Sequence, residues 1–217
     1  MAYFALIGDL VDSRRRSDRA QVQDRLRTVI GTINETLGAA LAAPLRLTAG
    51  DELQGLTRDP EILVNVVVSV SDAVLPAELS WGIGYGPVTT ALDADVSMVD
   101  GPCFHRAREA VESGKKSGRW VELRGVTGAP GEAIPALFNL VGALRADWTP
   151  RQAEVVQAAR GRLQVEVAEA LGVHASTVSR TLAAAHFDAV LEGEAAARSL
   201  LAEVRSAVSP PASEPAP

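Results

Sequence analysis

The segment from Trp148 to Phe187 constrains the chain more than any other, because its punctuation fits one arrangement of three short helices. Thr149-Pro150-Arg151-Gln152 supplies an N-cap, a proline at the first helical position and a glutamine three residues after the cap, which together satisfy the open N–H groups of a helix start. That helix is expected to run to about Arg160 and stop at Gly161, and Gln164–Leu171 is expected to form a second, with Val167, Ala168 and Leu171 inward. Gly172 then turns the chain through positive φ without strain, and Ser176 caps a third helix over Thr177–Ala184 that buries Val178 and Leu182.

This helix, glycine turn and helix have the spacing of the bihelical unit that places a recognition helix in the major groove of DNA. Ser176, Thr177, Ser179, Arg180 and Thr181 are its outward positions, suited to bases or phosphates, and Arg160 and Arg162 are expected to reach phosphates. The competing reading is a helical bundle that docks on protein, since residues 145–190 carry five basic and five acidic groups. His174 reads as a surface turn residue.

The rest of the chain alternates strand and helix signals. Strands are expected over Tyr3–Ile7, Leu45–Thr48, Leu53–Thr57, Leu79–Ile83 and Trp120–Leu123, and helices over Ser17–Leu41, Asp59–Val74 and Pro102–Ser113, in the order β-α-β-β-α-β-α-β. That order builds a sheet with helices packed on it. Lys115-Lys116 reads as a loop, Cys103 as a small packed residue, and Gly82, Gly84 and Gly86 as a weak phosphate-loop signal or a strand that something approaches closely. Gly125–Gly131 marks a boundary, and Pro135 starts a connector helix through Leu144. One cysteine excludes an internal disulfide and a multi-cysteine zinc site. The longest apolar run, Ile62–Val70, contains Asn65 and is too short to span a bilayer, and no basic region precedes the apolar N-terminus. A cytoplasmic protein is expected. With a net charge of −6, any DNA contact must come from a local basic face.

Two acidic groups stand at expected strand ends: Asp9, with Asp12 following, and Asp51-Glu52 at a hairpin tip. Carboxylates so placed suit Mg²⁺ or Mn²⁺ bridging to nucleotide phosphates. Phe4-Ala-Leu-Ile-Gly-Asp9-Leu-Val-Asp-Ser13 resembles the first strand of class III nucleotide cyclases, and Ala49-Gly-Asp51-Glu resembles their second metal-bearing hairpin and that of GGDEF diguanylate cyclases. Trp81-Gly-Ile-Gly-Tyr-Gly86 and Gly101-Pro-Cys-Phe-His-Arg-Ala-Arg108 are similar to the later cyclase strand and helix. The resemblance implies a palm-like mixed sheet, metal ligands Asp9 and Asp51, and a phosphate-binding turn over Gly8, Leu10, Val11, Asp12 and Ser13. It departs where His105 replaces the cyclase asparagine, which puts Glu109 where an arginine belongs, so that Arg106 or Arg108 has to stand in. Leu47 occupies the place of the base-selecting lysine, and Arg14–Arg16 follow the phosphate turn.

The whole order of motifs, through Trp148-Thr-Pro-Arg-Gln, resembles the bacterial SatD family, whose implied role is regulatory. The expected architecture is α/β: a cyclase-like domain over 1–125, a linker and connector over 126–147, an all-α helix-turn-helix domain over 148–205 and a disordered tail over 206–217. The expected function is a DNA-binding regulator, working as a homodimer, whose first domain senses a nucleotide with a divalent metal. A metal-dependent cyclase or nucleotidyltransferase, with Arg106, Arg108 and His105 as catalytic candidates, and a protein-docking adaptor are the alternatives.

Overall fold

The computed structural model describes residues 1–13, 17–48 and 51–208; Arg14–Arg16, the hairpin residues Ala49 and Gly50, and the expected tail from 209 onward lie outside the described residues. The elements are β1 (Ala2–Leu10), α1 (Arg19–Leu37), β2 (Leu41–Leu47), β3 (Glu52–Thr57), α2 (Ile62–Val74), β4 (Leu79–Pro87), α3 (Pro102–Ser117), β5 (Val121–Arg124), α4 (Gly128–Ala146), α5 (Pro150–Ala159), α6 (Gln164–Leu171), α7 (Ala175–Ala184) and α8 (Phe187–Val208). They form a mixed α/β fold on one five-stranded sheet of order β2-β3-β1-β4-β5. β1 is antiparallel to both β3 and β4, and β5 is parallel to β4.

β1 sits in the middle because it is apolar on both sides. Phe4, Leu6 and Leu10 face one core, while Tyr3, Ala5 and Ile7 face another. The apolar run stops at Gly8, but the strand does not: Gly8 and Asp9 stay paired with both neighbours, and Leu10 with β4. The first core is closed by α1, α2, α4 and α8, and the second by α3 and the loop carrying Val96 and Val99.

The β4 glycines belong to that second face. A Cβ on Gly82 would stand 2.1 Å from the Ala107 carbonyl oxygen, and one on Gly84 would stand 2.0 Å from that of Cys103. They let the backbone of α3 lie directly on the strand, and the phosphate-loop reading falls away. α3 continues to Ser117, so Lys115 and Lys116 lie in its last turn and not in a loop.

α4 starts at Gly128, which places Pro135 inside the helix instead of at its start. The three short helices α5, α6 and α7 share their own core of Val155, Val156, Ala159, Val167, Ala168, Val178 and Leu182. α8 then returns to the sheet: Ala197, Leu201 and Val204 belong to the first core, and Gly193 admits Val141 of α4. α8 runs through Val208, so residues 206–208, expected in the tail, are helical.

Two glycine substitutions separate these roles. Gly84→Ala meets backbone and is expected to cost on the order of 1–3 kcal/mol or more by overpacking. Gly31→Ala, on the exposed face of α1 with nothing near its Cβ, is expected to stabilise by about 0.5–1 kcal/mol. Urea unfolding of both variants checks the pair.

Candidate functional site

The α5–α7 unit is built as its punctuation implies at the first helix. The Thr149 hydroxyl accepts from the Gln152 N–H at 3.2 Å, and the Gln152 side chain accepts from the Thr149 N–H at 2.8 Å. Gly172 ends α6 at φ 63°, where its N–H reaches back to the Ala168 and Glu169 carbonyls. α7 starts two residues earlier than expected: His174 is its N-cap and Ser176 lies within the helix. Val178 and Leu182 are buried, so the opposite row points outward: Ser176, Ser179 and Arg180 are exposed, and Thr177 and Thr181 are half-buried. Thr149, Arg151, Gln152, Thr177, Arg180 and Thr181 line a shallow groove between the start of α5 and α7. Arg162 is exposed and donates to the Glu166 carbonyl.

Arg160 does something else. It is largely buried and forms a fork on Glu194 of α8 at 2.8 and 2.9 Å, while its Nε donates to Asp72 of α2. Burial works against its charge, but Glu194 and Asp72 outweigh this and hold its pKa above the ordinary value. The phosphate contact expected of Arg160 is therefore withdrawn. Asp72 also pairs with Arg145 of α4 at 2.5 Å, both side chains being 6% exposed; the contact lacks hydrogen-bond alignment and is an ion pair. The Arg145 guanidinium lies over the rings of Trp120 and Trp148, at 4.8 and 5.0 Å. This joint between sheet and helical unit has no local sequence signal, because its members are scattered from residue 72 to 194.

The second site lies at the end of β1. Asp9 and Glu52 are cross-strand partners. α3 brings Arg108 and Lys115 over them: Lys115 pairs with Asp9, and Arg108 grips Glu52 with both Nη atoms, one at 2.8 Å. Glu52 also accepts from Gln54 at 2.6 Å. Burial raises the Glu52 pKa, but Arg108 and Gln54 outweigh it and hold it low, while Glu52 raises that of Arg108. The signal for this stripe was present in the spacing of Arg108, Glu112 and Lys115 at i, i+4 and i+7.

The other catalytic candidates lie elsewhere. Arg106 donates to the Tyr85 carbonyl at 2.6 Å, toward the far end of β4, and His105 is exposed beside Asp100 at 3.2 Å. Of the expected phosphate turn, Gly8 and Leu10 are held in the ladder, the Val11 N–H donates to Glu78, Asp12 adopts φ 52°, and Ser13 bonds Asp51. Cys103 is buried, which pushes its thiol up to about 11 and leaves it a packing residue.

Asp51 is buried, and its carboxylate is held by Arg19 at 3.0 Å and Gln23 at 2.6 Å, both on α1. α1 and α3 lie on opposite faces of the sheet, so the two expected metal ligands are each neutralised from a different side. Among the described residues, no three His, Cys, Asp or Glu side chains converge where an ion could sit. With both carboxylates engaged by cationic side chains, the donor set does not fit a resident two-metal centre.

A central sheet with a charged end and an appended helical unit define a mixed α/β protein with an all-helical C-terminal part. The chain belongs to the SatD family, whose model matches residues 3–201. No curated protein matches it. Among solved structures it is similar to the crystal structure of a regulator of polyketide synthase expression from Bifidobacterium adolescentis, with 16% identity and a TM-score of 0.25, over 97% of this chain and 87% of that chain. Among the described residues no helix is long and apolar enough to cross a membrane.

Burial raises the Asp51 pKa, but bonds from Gln23, Ser13 and Arg19 outweigh it and hold the group below its ordinary value of 3.8. Its ionised form therefore stabilises the fold above that value, and the contribution is lost as pH falls through the folded-state pKa. Asp51→Asn is expected to be less stable than the wild type near neutrality, with the gap closing on acidification; chemical unfolding across pH checks this.

Proposed function

We propose that this protein is a DNA-binding regulator that reads its site with α7. The observation that carries this is the outward row Ser176, Thr177, Ser179, Arg180 and Thr181 on a two-sided helix. That helix follows a left-handed glycine turn and is fixed from behind by Val178 and Leu182. An arginine flanked by short hydroxyl side chains can enter a major groove without steric conflict and pair with guanine. With Arg145 and Arg160 committed to the joint, Arg151, Arg162 and Arg180 are the remaining cations of the unit. Electrostatic attraction is then modest, and affinity depends on base contacts. Two copies would supply the pair of recognition helices that a palindromic site needs.

The test is selection of bound sequences from a random duplex library, followed by titration on the winning site. Arg180→Ala is expected to weaken that site by ~1–3 kcal/mol and to relax preference at one base pair. The slope of log affinity against log salt is expected to be small, roughly −2 per helical unit, from Arg151 and Arg162 on phosphates. Equal loss on all sequences would make Arg180 a phosphate contact. No enrichment at all would favour the adaptor reading.

A second reading concerns the sheet domain, as a nucleotide sensor. Arg108 and Lys115 stand together at the end of β1, beside a turn in which Asp12 has positive φ, a conformation that such residues hold at a cost. A nucleotide's phosphates would compete with Glu52 and Asp9 for these cations. Arg106 and His105 lie away from this point, which favours a sensor over an enzyme. Retention of labelled ATP, GTP, CTP and UTP is expected to persist in EDTA and to fall about tenfold or more in Arg108→Ala and Lys115→Ala. Retention that requires Mg²⁺ or Mn²⁺ and disappears in Asp9→Asn and Asp51→Asn would restore a metal site. A chromatographically distinct product would make it an enzyme.

A further inference from the structure

Between the end of β1 and the end of α7 runs a continuous series of contacts, buried at Trp81, Ser71 and Asp72 and half-buried at Trp120 and Trp148. A Cβ on Gly8 would stand 2.8 Å from the Trp81 ring, so β1 rests on that indole at the residue before Asp9. The Trp81 N–H donates to the Ser71 hydroxyl at 3.0 Å, and the Trp120 N–H donates to the same oxygen at 3.3 Å. The next residue of α2 is Asp72, which holds Arg145 and Arg160 and whose carbonyl accepts from Gln157 of α5 at 2.6 Å. Arg145 stacks on Trp120 and Trp148, and the Trp148 N–H donates to the carbonyl of Ala185, the C-cap of α7, at 2.9 Å.

We propose that Ser71 and Asp72 are the junction of a relay through which a change at the Gly8–Asp9 end of β1 resets the seating of α7. Two features make the series a switch and not a mere adhesive. Gly8, Trp81, Ser71 and Asp72 are buried and close-packed, so a shift of the Trp81 ring cannot be absorbed in a void. At the joint, Asp72 and Glu194 balance Arg145, which is buried, and Arg160, which is 22% exposed, and withdrawal of Asp72 leaves Arg145 without a carboxylate. In the proposed relay this quartet gives way as a set and so supplies the two-state element that coupling between distant sites requires. The regulatory meaning of the relay rests on α7 being the DNA-reading helix; the coupling itself does not.

The test therefore uses no DNA: amide hydrogen exchange of the full chain, followed over α5–α7. Ser71→Ala removes the shared acceptor, and Trp81→Phe keeps a ring beside Gly8 but loses the N–H. Both are expected to accelerate exchange over residues 150–184 by about fivefold or more. Ile7→Val, in the core on the other face of the sheet, is the control for general destabilisation and is expected to leave those amides within about twofold when compared at equal loss of thermal stability. Adding Arg145→Lys to Ser71→Ala is expected to produce little further change in α7, since both act on one series. Acceleration confined to the sheet domain, or equal acceleration in Ile7→Val, would overturn the relay. A failed DNA selection alongside the expected exchange pattern would overturn the DNA reading and leave the coupling intact.

Discussion

The organisation of this protein depends on a central strand that is buried on both faces. β1 cannot choose one core, because Phe4, Leu6 and Leu10 demand cover on one side and Tyr3, Ala5 and Ile7 on the other. Two strand–helix–strand units satisfy this by interleaving, each inserting a strand of the other between its own pair. Once β1 is central, Asp9 is carried to the sheet's end with Glu52 beside it, and α3 is drawn down on the glycines of β4. The charged stripe of α3 is thereby set over that end. Polar geometry here follows from apolar packing.

The joint obeys a different rule. Removing Asp72, Arg145 and Glu194 from water is costly, and buried ion pairs are often no more stabilising than apolar residues of similar volume. What the ions add is direction: the Arg160 fork accepts Glu194 in one orientation, and Arg145 is fixed between two indole rings. The angle between sheet and helical unit is specified by charge geometry, whereas the interiors on either side are specified by shape.

Local signals were legible in the sequence, and distant pairings were not. The capping box at Thr149 and Gln152, the stop at Gly161 and the turn at Gly172 all declare themselves within a few residues, and the structure places them as read. Strand and helix order was legible for the same reason. Ends were missed where tertiary contact overrides the local pattern: β1 outlasts its apolar run because two neighbours extend its ladder, α3 carries Lys115 because Asp9 awaits it, and α4 tolerates Pro135. Arg160 looked like a surface cation because nothing near it in the chain reveals Asp72 or Glu194. The acidic pair was found, but the cations that occupy it come from helices on either side of the sheet.

The return of α8 has a consequence for how such a protein can evolve. Its first turns close the small core beneath α7 with Phe187, and its later turns supply Ala197, Leu201 and Val204 to the core of the sheet. A helical unit whose last helix is also a structural beam of its neighbour is hard to lift out by recombination and pass to another scaffold, because either fragment would be left with exposed apolar core. The two halves are therefore bound to diversify together, by substitution within each and not by exchange of the unit.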